Sequence, residues 1–164
     1  MSIYFNADEI FEMAEEIERK GTRFYRRAAE GAADARTREH LLELARMEED
    51  HEKIFASMRK ESSGQEWAAE VYDPQGEVAL YLRAMTGGKV FDVKSDPTKR
   101  ITGKETMEEI LRIAIGLEKD SIVFYLGIKD MVPEKLGKDK IEDIIKEEMS
   151  HITTLTEELE ALSH

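Results

Sequence analysis

Glu48-Glu49-Asp50-His51 recurs one hundred positions on as Glu148-Met149-Ser150-His151, and each Glu-x-x-His follows a further glutamate, Glu18 or Glu118, at an interval of thirty residues. Six residues of metal-ligand type therefore repeat in register. Residues three apart on a helix share a face, so each Glu-x-x-His turns both of its groups to one side. A bundle that draws one glutamate from each of two helices and a Glu-x-x-His from each of the other two can enclose a pair of metal ions.

The repeat runs well beyond these six positions. Asn6-Ala7-Asp8-Glu9-Ile10, followed by Ala14, Ile17, Glu18, Phe24 and Tyr25, is matched by Thr106-Met107-Glu108-Glu109-Ile110, followed by Ala114, Leu117, Glu118, Phe124 and Tyr125. Both stretches open with a capping-box pattern, Asn6 with Glu9 and Thr106 with Glu109. Self-similarity at one long offset marks a duplicated supersecondary unit, here a helical hairpin. The chain is expected to be two such hairpins related by a pseudo-two-fold axis.

Four long helices are predicted, near residues 7–31, 36–60, 104–131 and 138–162. Gly31 and Asp34 mark the first turn, and Pro133 and Gly137 mark the last. On the second helix Leu41, Leu44, Glu48, His51, Phe55 and Met58 are spaced alternately by three and four. The fourth helix repeats this as Ile141, Ile144, Glu148, His151 and Leu155, with Leu159 and Leu162 beyond. That spacing belongs to the face turned into a bundle. On the first and third helices, Glu18 shares a stripe with Ala14, Gly21 and Tyr25, and Glu118 with Ala114, Ser121 and Tyr125. The midpoint between Glu18 and the Glu48–His51 pair falls in the first turn, and its counterpart falls at Pro133–Glu134. In an antiparallel hairpin all six groups then lie in one layer, roughly 22 Å from the turns.

Between the second and third helices, Ser62–Gly103 is too long for a simple turn, and a short helix is expected at Gln75–Met85. Parallel second and third helices require a crossover of roughly 35 Å, which accounts for part of its length. Its apolar residues, Trp67, Val71, Tyr72, Val78, Leu80, Tyr81, Leu82, Val90 and Phe91, call for burial against the bundle or a second subunit, and a homodimer is the expectation.

Composition narrows the function. A chain of 164 residues suits one domain, residues 1–164, and the 37% of charged residues suits long water-facing helices. The net charge of −12 argues against nucleic acid, whose phosphates need a basic face. No apolar run is long enough to span a bilayer and the first residues do not read as a signal peptide, so no membrane contact and a cytoplasmic location are expected. There is no cysteine, which leaves histidine and carboxylate as the strong ligands. These suit first-row metals such as iron or manganese. Two divalent ions would balance the four carboxylates and leave two neutral imidazoles. Buried glutamates without such compensation would repel one another. Tyr25 and Tyr125 are placed either to donate hydrogen bonds to the ligating carboxylates or to serve as core aromatics whose hydroxyls find other partners.

Glu18, Glu48, His51, Glu118, Glu148 and His151 resemble the ligand set of the ferritin-like di-iron carboxylate superfamily, and most closely that of the rubrerythrins. The resemblance spans all four long helices. It implies an all-α, ferritin-like four-helix bundle with two iron ions per chain, manganese or mixed metals being alternatives, and no haem. It further implies that Glu48 and Glu148 bridge the metals, with Glu18 and His51 on one and Glu118 and His151 on the other. The chain departs from rubrerythrins at Ser121, where those proteins carry an exchangeable glutamate, and in lacking the cysteines of a rubredoxin domain.

The resemblance implies a non-haem di-iron oxidoreductase that reduces hydrogen peroxide or dioxygen with electrons from an external donor protein. One alternative is iron storage or ferroxidase chemistry of the bacterioferritin type. Against it, Glu49 stands where that family places its haem-binding methionine. The other alternative is a metal-binding bundle without turnover.

Overall fold

All six residues of the Leu41–Met58 stripe are buried, as are Ile141, Ile144, Glu148, His151 and Leu155. The computed structural model describes residues 7–63, 77–86 and 96–163. Within them the long helices are α1 (Ala7–Glu30), α2 (Ala35–Ser62), α4 (Met107–Lys129) and α5 (Lys138–Ala161), with a short α3 (Glu77–Thr86) in the connection. No strand occurs among the described residues.

Local chemistry sets the helix ends. Asp34 caps α2 by accepting the Thr37 N–H at 2.9 Å. Thr106 and Glu109 close the expected capping box of α4: Thr106 N–H donates to Glu109 Oε2 at 2.8 Å, and Glu109 N–H to Thr106 Oγ1 at 3.2 Å. This cap starts α4 at Met107 rather than near residue 104. Just before it, Glu105 accepts the N–H groups of Thr102 and Gly103, and Gly103 has a φ of 89°, a conformation outside any right-handed helix. Gly137 ends the last turn with a φ of 105°. Asn6, Gln75, His164 and the apolar residues Trp67, Val71, Tyr72, Val90 and Phe91 lie outside the described residues.

Two apolar clusters divide the bundle into ends. One gathers Ile10, Phe11, Phe55, Met58, Phe124, Ile128, Ile141 and Ile144. The other gathers Phe24, Leu41, Leu44, Leu111, Ala114 and Leu155. The start of α1 thus sits with the end of α4, and the start of α2 with the end of α5. Both pairs are antiparallel, which makes α2 and α4 parallel, as the crossover length requires. Each fully buried Ile, Leu or Phe contributes about 1.5–3 kcal/mol, so both ends are firmly closed and the layer between them is fixed in height.

The connection is anchored at two places. Tyr81 of α3 packs against Gly127 of α4, where any Cβ would strike its ring, and its hydroxyl donates to the Val123 carbonyl. Leu82 enters the first cluster and Ile101 the second. Near the far end of α5 Glu158 is buried, Leu159 packs partly buried against the second cluster, and Leu162 is exposed. Strict alternation of three and four from Leu155 leads to residue 158. Thr37 Oγ1 donates to Glu158 Oε2 at 3.1 Å, and His40 Nδ1 lies 2.5 Å from Glu158 Oε1. His40 thus joins α2 to α5, because this buried carboxylate needs partners.

Candidate metal centre

Between the two apolar ends the six predicted residues meet. Glu18 and Glu148 are 0% exposed, His51 1%, Glu118 and His151 2%, and Glu48 4%. Their ligand atoms fall into two groups, each with all four atoms within 4.8 Å of one another: Glu18, Glu48, His51 and Glu148 in one, Glu48, Glu118, Glu148 and His151 in the other. Glu48 and Glu148 belong to both. The imidazole rings stand nearly parallel, 19° apart, with centroids separated by 5.8 Å.

Each histidine turns Nδ1 toward the carboxylates. His51 Nδ1 lies 2.9 Å from Glu148 Oε1 and 3.4 Å from Glu18 Oε2. His151 Nδ1 lies 3.1 Å from Glu148 Oε2, 3.2 Å from Glu48 Oε1 and 3.5 Å from Glu118 Oε1. The two tyrosines cross the bundle. Tyr25 on α1 donates to Glu118 on α4, and Tyr125 on α4 donates to Glu18 on α1. A tyrosine two turns along its own helix is about 10 Å from its own glutamate, whereas the antiparallel neighbour brings the other glutamate alongside. Burial, reinforced by the surrounding carboxylates, pushes both phenols well above their ordinary range, so they remain protonated donors.

Burial and the charges of Glu148, Glu118 and Glu18 push Glu48 well above the usual carboxylate range. Burial, then Glu148, takes Glu118 up to about 8. Glu148 moves the other way: burial and the Glu18 charge would raise it, but hydrogen bonds with Glu118, His151 and His51 hold it below its usual value. Burial alone would depress His51, yet Glu148 and Glu18 take it up to about 12. His151 is likewise lowered by burial but carried up to about 10 by Glu118 and Glu148. With no metal, protons thus supply the positive charge that four converging carboxylates demand.

The donor set fits a metal pair. Glu18 Oε2, Glu48 Oε1, Glu148 Oε1 and His51 Nδ1 are fully buried and, beyond the imidazole–carboxylate approaches just given, have no hydrogen-bond partner among the described residues. Leaving such atoms bare costs free energy unless a cation takes their lone pairs. Packing also keeps a place open for Glu48: a Cβ at Gly21 would fall 2.6 Å from Glu48 Oε2 and 3.2 Å from its Cδ. Ser121, the counterpart of Gly21, is buried and donates to the Leu117 carbonyl at 3.1 Å.

One contact was not singled out by the sequence. Glu147, half-exposed on α5, accepts from His51 Nε2 at 2.8 Å. Its place directly before Glu148 is the only signal, and residue 47, its counterpart, is a methionine.

The fold is shared with a solved structure. A crystal structure from Thermotoga maritima, described as a ferritin-like diiron-carboxylate protein, superimposes with a TM-score of 0.74 at 26% identity, covering 96% of each chain. A comparison with curated proteins finds no match. Fold and site together define the ferritin-like diiron-carboxylate class. Within it, the sequence pattern of the rubrerythrins matches residues 9–159, and the chain belongs to the rubrerythrin family.

Proposed function

We propose that the protein is a non-haem di-iron oxidoreductase that reduces hydrogen peroxide or dioxygen. The observation that carries this reading is the sharing of Glu48 and Glu148 between two four-atom ligand groups. Glu18 and His51 would complete one metal position, and Glu118 and His151 the other. When bound, the iron pair supplies electrons to the oxidant by passing between its ferrous and ferric forms.

The chain's own residues set the conditions for that chemistry. Apolar clusters above and below exclude water from the layer, and low polarity strengthens every charge interaction within it. Tyr25 and Tyr125 each hold one oxygen of a terminal carboxylate, which leaves the second oxygen of Glu18 free for a metal. Ser121 is tied to its own helix backbone and offers no carboxylate to exchange, so the ligand set stays the same in both oxidation states. With no cysteine in the chain, the electrons come from a separate donor protein.

Anaerobic reconstitution with ferrous iron, followed by turnover with a reducing protein and either peroxide or dioxygen, tests the proposal. Turnover of one oxidant that disappears in Glu48→Ala and Glu148→Ala supports it. Loaded protein that is reoxidised only once and never turns over identifies a storage or structural role instead.

A further inference from the structure

The duplication is broken at one point next to the site. His51 has its outer nitrogen fixed: Nε2 donates to Glu147 at 2.8 Å, while Nδ1 faces Glu18 and Glu148. His151 is just as deeply buried, yet its Nε2 has no hydrogen-bond partner among the described residues. The offset of one hundred explains this. The position matching Glu147 is Met47, whose thioether is only a weak acceptor.

We infer that the two metal positions are unequal: the one served by His51 binds first and more tightly, and the one served by His151 binds weakly because Met47 leaves its histidine unsupported. The inference rests on the dinuclear reading above and extends it. A carboxylate on the outer nitrogen fixes the tautomer and ring orientation of a metal-binding histidine and raises its basicity. His151 receives none of these. Among the described residues its polar neighbours are on the inner side, where Nδ1 lies 3.1 Å from Glu148 Oε2. A metal on Nδ1 would leave the buried Nε2 N–H of His151 without an acceptor, whereas that of His51 keeps Glu147. Glu147 is a positioning residue for one half of the site, and the other half has no equivalent.

Anaerobic titration of the metal-free full chain with cobalt(II), followed by its visible ligand-field absorption, tests this. Loss of a supporting carboxylate typically costs 10–100-fold in metal affinity, so the wild type should load in two steps at least tenfold apart. Crystals grown with one equivalent should show anomalous scattering between Glu18 and His51. Glu147→Ala should weaken the tighter step by that factor and close the gap, while Glu147→Gln, which keeps an acceptor, should retain part of it. Met47→Glu should tighten the weaker step and close the gap from the other side. Glu147 is half-exposed and Met47 only partly buried, and the two variants move opposite steps, so a general loss of folding cannot imitate the pattern. Loading of both positions in a single step, or a gap that neither Glu147→Ala nor Met47→Glu alters, overturns the inference while leaving the dinuclear site intact. Failure of every variant to bind cobalt overturns both.

Discussion

At the scale of single residues, the crossed tyrosines are the most exacting contacts in the protein. Tyr25 and Tyr125 are 2% and 0% exposed, and each hydroxyl meets a carboxylate on the opposite hairpin. Replacing one by Phe leaves a buried carboxylate oxygen without its donor, a loss of about 1–3 kcal/mol. Tyr25→Phe and Tyr125→Phe should each lower the stability of the metal-free protein by that amount in denaturant unfolding, and weaken metal binding roughly tenfold or more. Unchanged values for both would mean that the hydroxyls only fill space. The pairing was half legible in the sequence. Tyr25 and Tyr125 stand out on the ligand stripes, but which glutamate each serves depends on the antiparallel packing of α1 and α4, a tertiary fact that periodicity does not contain.

At the scale of elements, the inward seams of α2 and α5 and the capping box of α4 could be read directly, because three-and-four spacing and Thr106-x-x-Glu109 are local patterns. The seam departs from the expectation only near its end, where Glu158 continues it and Leu162 is exposed. Glu158 takes the inward position because Thr37 and His40 reach it from α2, and no local rule foresees such a partner. Gly21 is the other element-level lesson. A glycine inside a helix costs about 1 kcal/mol relative to alanine, and here it is kept because Glu48 occupies the volume a Cβ would need. Gly21→Ala should therefore leave the metal-free protein as stable as the wild type or slightly more so, yet lower metal affinity at least tenfold by displacing Glu48. A variant that binds metal normally would show that Glu48 has room to spare.

At the scale of the whole molecule, no helix among the described residues is long and apolar enough to cross a membrane, and the distinctive feature is a charged layer sealed between two apolar ends. This layer gives the metal-free protein an unusual pH dependence. Glu118 is raised from 4.5 to about 8, so between those values the folded state holds a proton that the unfolded chain has released. His51 is raised from 6.5 to about 12, so its contribution is complete below 6.5 and is lost as the pH rises through 12. Both make stability fall with rising pH. The melting temperature of the metal-free protein should drop from about pH 6 to about pH 8.5, and the drop should shrink in the Glu18→Gln, Glu118→Gln double variant. A melting temperature that rises over this range would contradict the clustering of charges. Metal reverses the trend, since its ligands must be deprotonated and binding stabilises the folded state.

The central claim is that this layer holds two metal ions between shared carboxylates. Anomalous diffraction at the iron edge, from crystals loaded anaerobically with ferrous iron, tests it most directly. The account predicts two peaks per chain, both beside Glu48 and Glu148, one reached by His51 and the other by His151. Iron bound at any other place in the chain, with this layer empty, would contradict it.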